Sequence, residues 1–225
     1  MRRYAIYAVP GVGENDAPEA RRLKALVDTW YARDDLQDLT IAARRYGFHA
    51  TLVAPFHLAA RHTEAELLAA VEAFAAGRAP VMIPGPRPAA MGSFRVLFPS
   101  GDQDGLNALA ESIVREFDGF RAPLSKADAH RRRTPHLTSR QRELLDRWGY
   151  PYVLDEFHFH LTLTDSVPAD RAAHVDAAAA QHFADVAGVD VPLSGITISV
   201  EPEPGAAFEI LAVRPLAHKF VLETA

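Results

Sequence analysis

Phe48-His49-Ala50-Thr51-Leu52 and Phe159-His160-Leu161-Thr162-Leu163 carry one pattern twice, with their histidines 111 residues apart in a chain of 225. In an extended strand successive side chains point to opposite faces. His49 and Thr51 then share one face while Phe48, Ala50 and Leu52 occupy the other, and His160 and Thr162 are separated from Phe159, Leu161 and Leu163 in the same way. Each segment therefore reads as a strand with its back on a core and its front in a cleft. Two such strands facing each other bring together two imidazoles and two hydroxyls, a set suited to acid–base chemistry at a phosphate. The half-chain spacing predicts a two-lobed, internally duplicated fold.

The tripeptide alone is a weak signal, because ten histidines and 18 serines and threonines make a chance match expected. A third match, His136-Leu137-Thr138, follows Pro135 and precedes the polar Ser139-Arg140-Gln141. Thr138-x-x-Gln141 reads instead as a capping box for a helix near 139–148. What gives the other two weight is their flanking Phe and Leu, their strand context and their spacing.

Around the motifs the order strand–helix–strand–strand occurs twice. The first motif strand, 46–54, is followed by the capping box Thr63-x-x-Glu66, a helix carrying Leu67, Leu68, Val71 and Phe74, and strands at Val81–Ile83 and Phe94–Phe98. The second, 157–164, is followed by a helix opened at Pro168 and strands near 191–200 and 207–213. A strand over Arg3–Val9 and a helix with Pro18 in its first turn precede the first set, and a helix over 104–118 precedes the second. The fold class is α+β: antiparallel-rich sheets around a central cleft, with helices outside. The chain reads as a single two-lobed domain, with lobe one mainly 1–100 and lobe two mainly 101–225. Residues 121–150 have no counterpart in the first half. Their arginines, Arg131, Arg132 and Arg133, belong either to a lid over the cleft or to a solvated helical hairpin.

With 48% hydrophobic and 24% charged residues, the chain has the means to bury a sizeable core. A net charge of −5 argues against a long nucleic acid as partner. The absence of cysteine excludes disulfides, thiolate metal sites and cysteine nucleophiles. No stretch approaches the ~20 apolar residues of a membrane span, so a soluble, cytoplasmic protein is the expectation.

Longer strings are more specific than the tripeptides. Arg45-Tyr46-Gly47-Phe48-His49-Ala50-Thr51-Leu52, the run from Arg147-Trp148-Gly149-Tyr150 through Phe157, and Phe159-His160-Leu161-Thr162-Leu163-Thr164 resemble the two-histidine (2H) phosphoesterase superfamily. Within it they are most similar to a branch associated with phosphonate operons. The resemblance covers nearly the whole chain and implies a metal-independent phosphoesterase, with no cofactor and with His49, Thr51, His160 and Thr162 as its catalytic set. That branch commonly carries lysine where this chain has Val53 and arginine where it has His158. Both positions lie on the cleft face by parity, so both changes remove positive charge, and Arg95 or the 131–133 arginines are the candidates to restore it.

Imidazoles titrate near pH 6.5, so one histidine can act as base and another as acid at neutral pH. The threonine hydroxyls would donate to non-bridging phosphate oxygens. Arg45, which shares the His49 face by strand parity, Tyr46, His158 and Arg95 are the candidate substrate contacts. Tyr4 and Tyr7 read as packing residues, as Tyr46 does in its alternative role. The expected partner is a small phosphorylated or cyclic-phosphate substrate, with a short RNA end as a further possibility. Two rivals stand beside this: a zinc-dependent hydrolase using His158, His160 and His49, and a non-catalytic phosphate-ligand binding protein.

Overall fold

The computed structural model describes residues 2–217, and within them nine strands and seven α-helices follow in the order β1 (Arg3–Ala8), α1 (Pro18–Tyr31), α2 (Ile41–Tyr46), β2 (Ala50–Phe56), α3 (Glu64–Ala76), β3 (Val81–Ile83), β4 (Arg87–Met91), β5 (Phe94–Phe98), α4 (Asp104–Phe117), α5 (Lys126–Arg132), α6 (Ser139–Trp148), β6 (Leu161–Thr162), α7 (Ala169–His182), β7 (Val191–Leu193), β8 (Gly195–Glu201) and β9 (Glu209–Pro215). Helix starts follow local chemistry. Pro18 opens α1, and both expected capping boxes form, Thr63 with Glu66 at α3 and Thr138 with Gln141 at α6. The 121–150 segment holds α5 as well as the expected α6.

All strand pairs are antiparallel. One sheet has the order β2-β1-β8-β9, a second β4-β5-β6, and β3 pairs with β7. Strand β4, absent from the sequence reading, forms a hairpin with β5 around the two residues Gly92-Ser93, where Gly92 has φ +60°. Division near residue 100 does not separate the sheets. The first takes β1 and β2 from one half and β8 and β9 from the other; the second joins the β4–β5 hairpin to β6. Each motif strand thus sits in a sheet completed by strands from the opposite half of the chain.

The helices cover the outer faces. On α3, Leu67, Val71 and Ala75 are buried, with the helix lying against β8 and β9; on α4, Leu106, Leu109, Ile113 and Phe117 are buried, against β2 and β3. These residues join the strand interiors in one continuous core that includes Ile6, Leu52, Leu161 and Ile198.

Candidate active site

Burial along the first motif alternates as period two requires. Phe48, Ala50, Leu52, Ala54 and Phe56 are buried, whereas His49, Thr51, Val53 and Pro55 are half-buried. Strand β2 lies at the edge of its sheet, where a proline costs no ladder bond, so Pro55 is accommodated inside it rather than ending it. In the second motif Phe159, Leu161 and Leu163 are buried and His160 and Thr162 half-buried.

Strand β6 is only two residues long, and its position comes from bonds to its neighbours. Val96 and Leu97 of β5 pair with Thr162 and Leu161. From α1, the Trp30 indole donates to the Leu163 carbonyl (3.0 Å) and the Tyr31 hydroxyl to the Thr162 carbonyl (2.7 Å). Asp165 then ties the two motifs together. Its carboxylate accepts from Ala42 N and Ala43 N, both at 2.8 Å, at the start of α2, the short helix that ends two residues before Phe48. A carboxylate at a helix N-terminus satisfies amides that have no partner within the helix.

His49, Thr51, His160 and Thr162 line one cleft of about 380 Å³, together with Arg3, Tyr7, Tyr46, Arg131, Arg132 and Tyr150. The two imidazoles are held identically: His49 Nδ1 lies 2.8 Å from the Gly47 carbonyl, and His160 Nδ1 lies 2.7 Å from that of His158. A carbonyl only accepts, so Nδ1 carries the proton in both rings and each neutral imidazole keeps its lone pair on Nε2. The Gly47 carbonyl is presented by a backbone at φ 75°, ψ 174°, a region open essentially to glycine alone.

Burial lowers both histidine pKa values. For His49, enclosed beneath the Tyr7 ring at a centroid distance of 3.9 Å, the value falls to about 4; the Gly47 bond opposes the fall and the neighbouring His160 adds to it. His160 is lowered mainly by burial too, against its bond to His158, and is the less deeply enclosed ring. Both are therefore neutral near pH 7 in the free protein.

Several sequence expectations need correcting. Arg45 does not lie on the His49 strand face, because it belongs to α2 and Gly47 breaks the strand phase. Its guanidinium donates to Glu201 at 2.6 Å and to the Ala206 carbonyl at 3.1 Å, outside the cleft lining. Arg95 is buried, with 7% side-chain exposure, and paired to Asp176. It holds sheet to helix α7 and does not reach the cleft. Tyr46 does line the cleft, and its ring stacks on Phe208 at 5.2 Å. His158 is exposed on an adjoining cavity of about 500 Å³, which shares Thr51, His160, Phe94 and Tyr150 with the cleft. His158, His160 and His49 do not assemble as zinc ligands: among the described residues no three His, Cys, Asp or Glu side chains are grouped to hold a metal.

Sequence reasoning missed the role of Tyr7. It is 1% exposed, its hydroxyl has no hydrogen-bond partner among the described residues, and it covers His49 from the cleft wall. The register pairs it with Thr51 on one side and Thr197 on the other, a cross-strand relation that no local pattern reveals. Of the three clustered arginines, Arg131 and Arg132 line the cleft, whereas Arg133 turns away to pair with Asp146.

The family described as "Protein of unknown function (DUF1045)" matches residues 51–209, a span that begins at Thr51 of the first motif and contains the whole of the second. The chain belongs to the DUF1045 family. Two curated proteins, each called "Ribose 1,5-bisphosphate phosphokinase PhnN", are similar to this DUF1045 protein. The one from Janthinobacterium sp. (strain Marseille) is 37% identical over 226 residues, covering 92% of this chain and 49% of its own. That from Laribacter hongkongensis (strain HLHK9) is 33% identical over 231 residues, covering 92% and 50%. The DUF1045 chain thus spans about half the length of these relatives. Among solved structures, TT0787 of Thermus thermophilus superposes with a TM-score of 0.51 at 16% identity, covering 96% of this chain and 99% of that one. E. coli LigT complexed with NADP+ gives 0.48 at 14% identity, covering 96% and 98%. The fold shared with TT0787 is of the α+β class with antiparallel sheets expected from the sequence of this DUF1045 protein.

Proposed function

We propose that this DUF1045 protein is a metal-independent phosphoesterase that hydrolyses a cyclic phosphate or phosphodiester of a small molecule. The observation that carries the proposal is the matched pair of imidazoles, each anchored at Nδ1 by the carbonyl two residues earlier, on the walls of one cleft. His49, the more deeply enclosed, is the base: at neutral pH its Nε2 is free to take a proton. His160 is the acid. A bound phosphate places negative charge beside it and raises its pKa, so that the ring holds a proton when substrate is present. Water attacks phosphorus and gives its proton to His49 Nε2. The new P–O bond forms as the bond to the leaving oxygen breaks, and His160 passes its Nε2 proton to that oxygen. The products are a phosphomonoester and a free hydroxyl. Thr51 and Thr162 donate to the non-bridging oxygens, whose charge must be held through the transition state.

The relatives' names add a chemical context. Opening a ribosyl 1,2-cyclic phosphate at the 2-oxygen leaves a ribose 1-phosphate, a group present in ribose 1,5-bisphosphate. This chain has no Gly-Lys dipeptide and so no Gly-x-x-x-x-Gly-Lys phosphate loop. A phosphoesterase half feeding a kinase half is the arrangement we infer for those longer proteins, with phosphonate breakdown as the setting.

Hydrolysis of 2′,3′-cyclic nucleotides and ribosyl 1,2-cyclic phosphates by the purified protein, followed by phosphate-product chromatography, tests the proposal. His49→Ala and His160→Ala should each lose ~10²–10⁴-fold in turnover with unchanged unfolding midpoints. Wild-type turnover in both variants refutes it. Saturable binding of these compounds without product favours a phosphate-binding protein instead.

A further inference from the structure

Arg132 is a half-buried cation with no carboxylate within ion-pair distance among the described residues. It is held by backbone alone, donating at 2.6 Å to the Gly149 carbonyl and at 2.6 Å to that of Pro55. The guanidinium lies 5.9 Å from the centre of the Tyr150 ring, another cleft residue. Arg131, whose only carboxylate partner among the described residues is Asp128, and Arg3, which shares Glu201 with Arg45, line the same cleft. Four arginines, Arg45 behind the lining among them, are therefore balanced by two carboxylates, and Asp165, the carboxylate on the cleft lining itself, is taken up by the Ala42 and Ala43 amides. A cation fixed by carbonyls, rather than neutralised by an acid, keeps its field and its remaining N–H groups available for an anion.

This cationic end is displaced from the histidine pair. Pro55 follows Thr51 by four residues on β2, and Arg3 precedes Tyr7, the cross-strand partner of Thr51, by four on β1. Four residues of strand span roughly 13 Å. Arg3, Arg131 and Arg132 nonetheless line the same cleft as the histidines, so the span suits one sugar bearing phosphates at opposite ends. Arg131 and Arg132 come from α5, in the inserted segment that the duplicated element order does not contain.

We propose that Arg132, Arg131 and Arg3 form a second anion subsite, which takes a terminal phosphate of the substrate while the histidines act on the cyclic or diester phosphate. The favoured substrate is then a phosphosugar with two separate phosphate groups, which rests on the hydrolytic reading above and narrows it.

The test compares ribosyl 1,2-cyclic phosphate with its 5-phosphorylated form. Wild-type kcat/KM should favour the 5-phosphorylated compound by about 10–100-fold, the range for one to two hydrogen bonds to a charged group. In Arg132→Gln and in Arg131→Gln that ratio should fall toward one, with Arg132→Lys intermediate. Should Arg132→Gln fail to fold, the wild-type ratio and Arg131→Gln still decide. Equal use of both compounds by the wild type, or equal losses on both in the variants, overturns the subsite and leaves hydrolysis standing. Calorimetric binding of ribose 5-phosphate, which has no cyclic phosphate, separates the two ideas. Binding that weakens at least tenfold in Arg132→Gln supports the subsite even if neither compound is hydrolysed, and binding that is absent or indifferent to the substitution counts against it.

Discussion

Tyr7 stacks on His49, and on the proposed mechanism replacing it should move the acid limb of the pH–rate profile. The His49 pKa of about 4 lies some 2.5 units below 6.5, a bias of about 3 kcal/mol toward the neutral ring. Its largest cause is burial, and the Tyr7 ring, stacked at 3.9 Å, covers one face of the imidazole. The base must be unprotonated and the acid protonated, so kcat/KM should rise as pH falls below neutrality and His160 takes up its proton, then drop tenfold per unit only below about 4, where His49 is protonated. The kcat limb should lie higher, because bound phosphate favours the charged ring. Tyr7→Ala admits water to His49 and should raise both the limb and the pKa read from the imidazole NMR signal by one to two units. Tyr7→Phe keeps the cover and should move neither. These variants also differ in stability. Removing the 1%-exposed side chain costs about 3–5 kcal/mol, whereas removing only its unpartnered buried hydroxyl should be neutral or stabilising. The same depression predicts how stability depends on pH. The unfolded chain binds the proton below 6.5 and the folded one only below about 4, so stability present above pH 6.5 is lost between those values. A wild-type limb near 6.5, or a limb and NMR pKa unmoved in folded Tyr7→Ala, refutes the reasoning.

Two further substitutions test the supports of the site. Gly47→Ala forces a Cβ into a φ, ψ region that costs about 1–3 kcal/mol and turns the carbonyl that orients His49; thermal melts should fall and turnover should drop more than ground-state binding. Glu201 is fully buried between Arg3 and Arg45, with a pKa lowered to about 2 chiefly by its bond to Arg3. Glu201→Gln should cost about 3 kcal/mol in denaturant unfolding and flatten the loss of stability that the wild type shows as pH falls from 4.5 toward 2.

How legible the site was in the sequence depended on the range of each interaction. The His/Thr faces were legible because period-two alternation is local, and burial at 48–56 and 159–163 follows it residue by residue. Capping boxes at Thr63 and Thr138 were legible for the same reason. Arg45 was misplaced because a strand was extended backward through Gly47 into what is helix α2. Arg95 was misjudged because its partner, Asp176, is 81 residues away. Asp165, which fastens one motif to the helix before the other, acts across 122 residues and leaves no local mark. The pairing of β4–β5 with β6, and of β1 with β8, is likewise set by packing between halves that look self-contained in sequence.

Strand β1 has its own consequence for biosynthesis. It leaves the ribosome before the other strands of its sheet, yet one of its two neighbours, β8, begins only at Gly195. Through most of the translation of this region that strand presents open amides and carbonyls to whatever else is nearby, an invitation to mispairing. Closure of the sheet must await the synthesis of β8, so fragments cut between the two halves would each be born without a whole sheet and would need one another to fold.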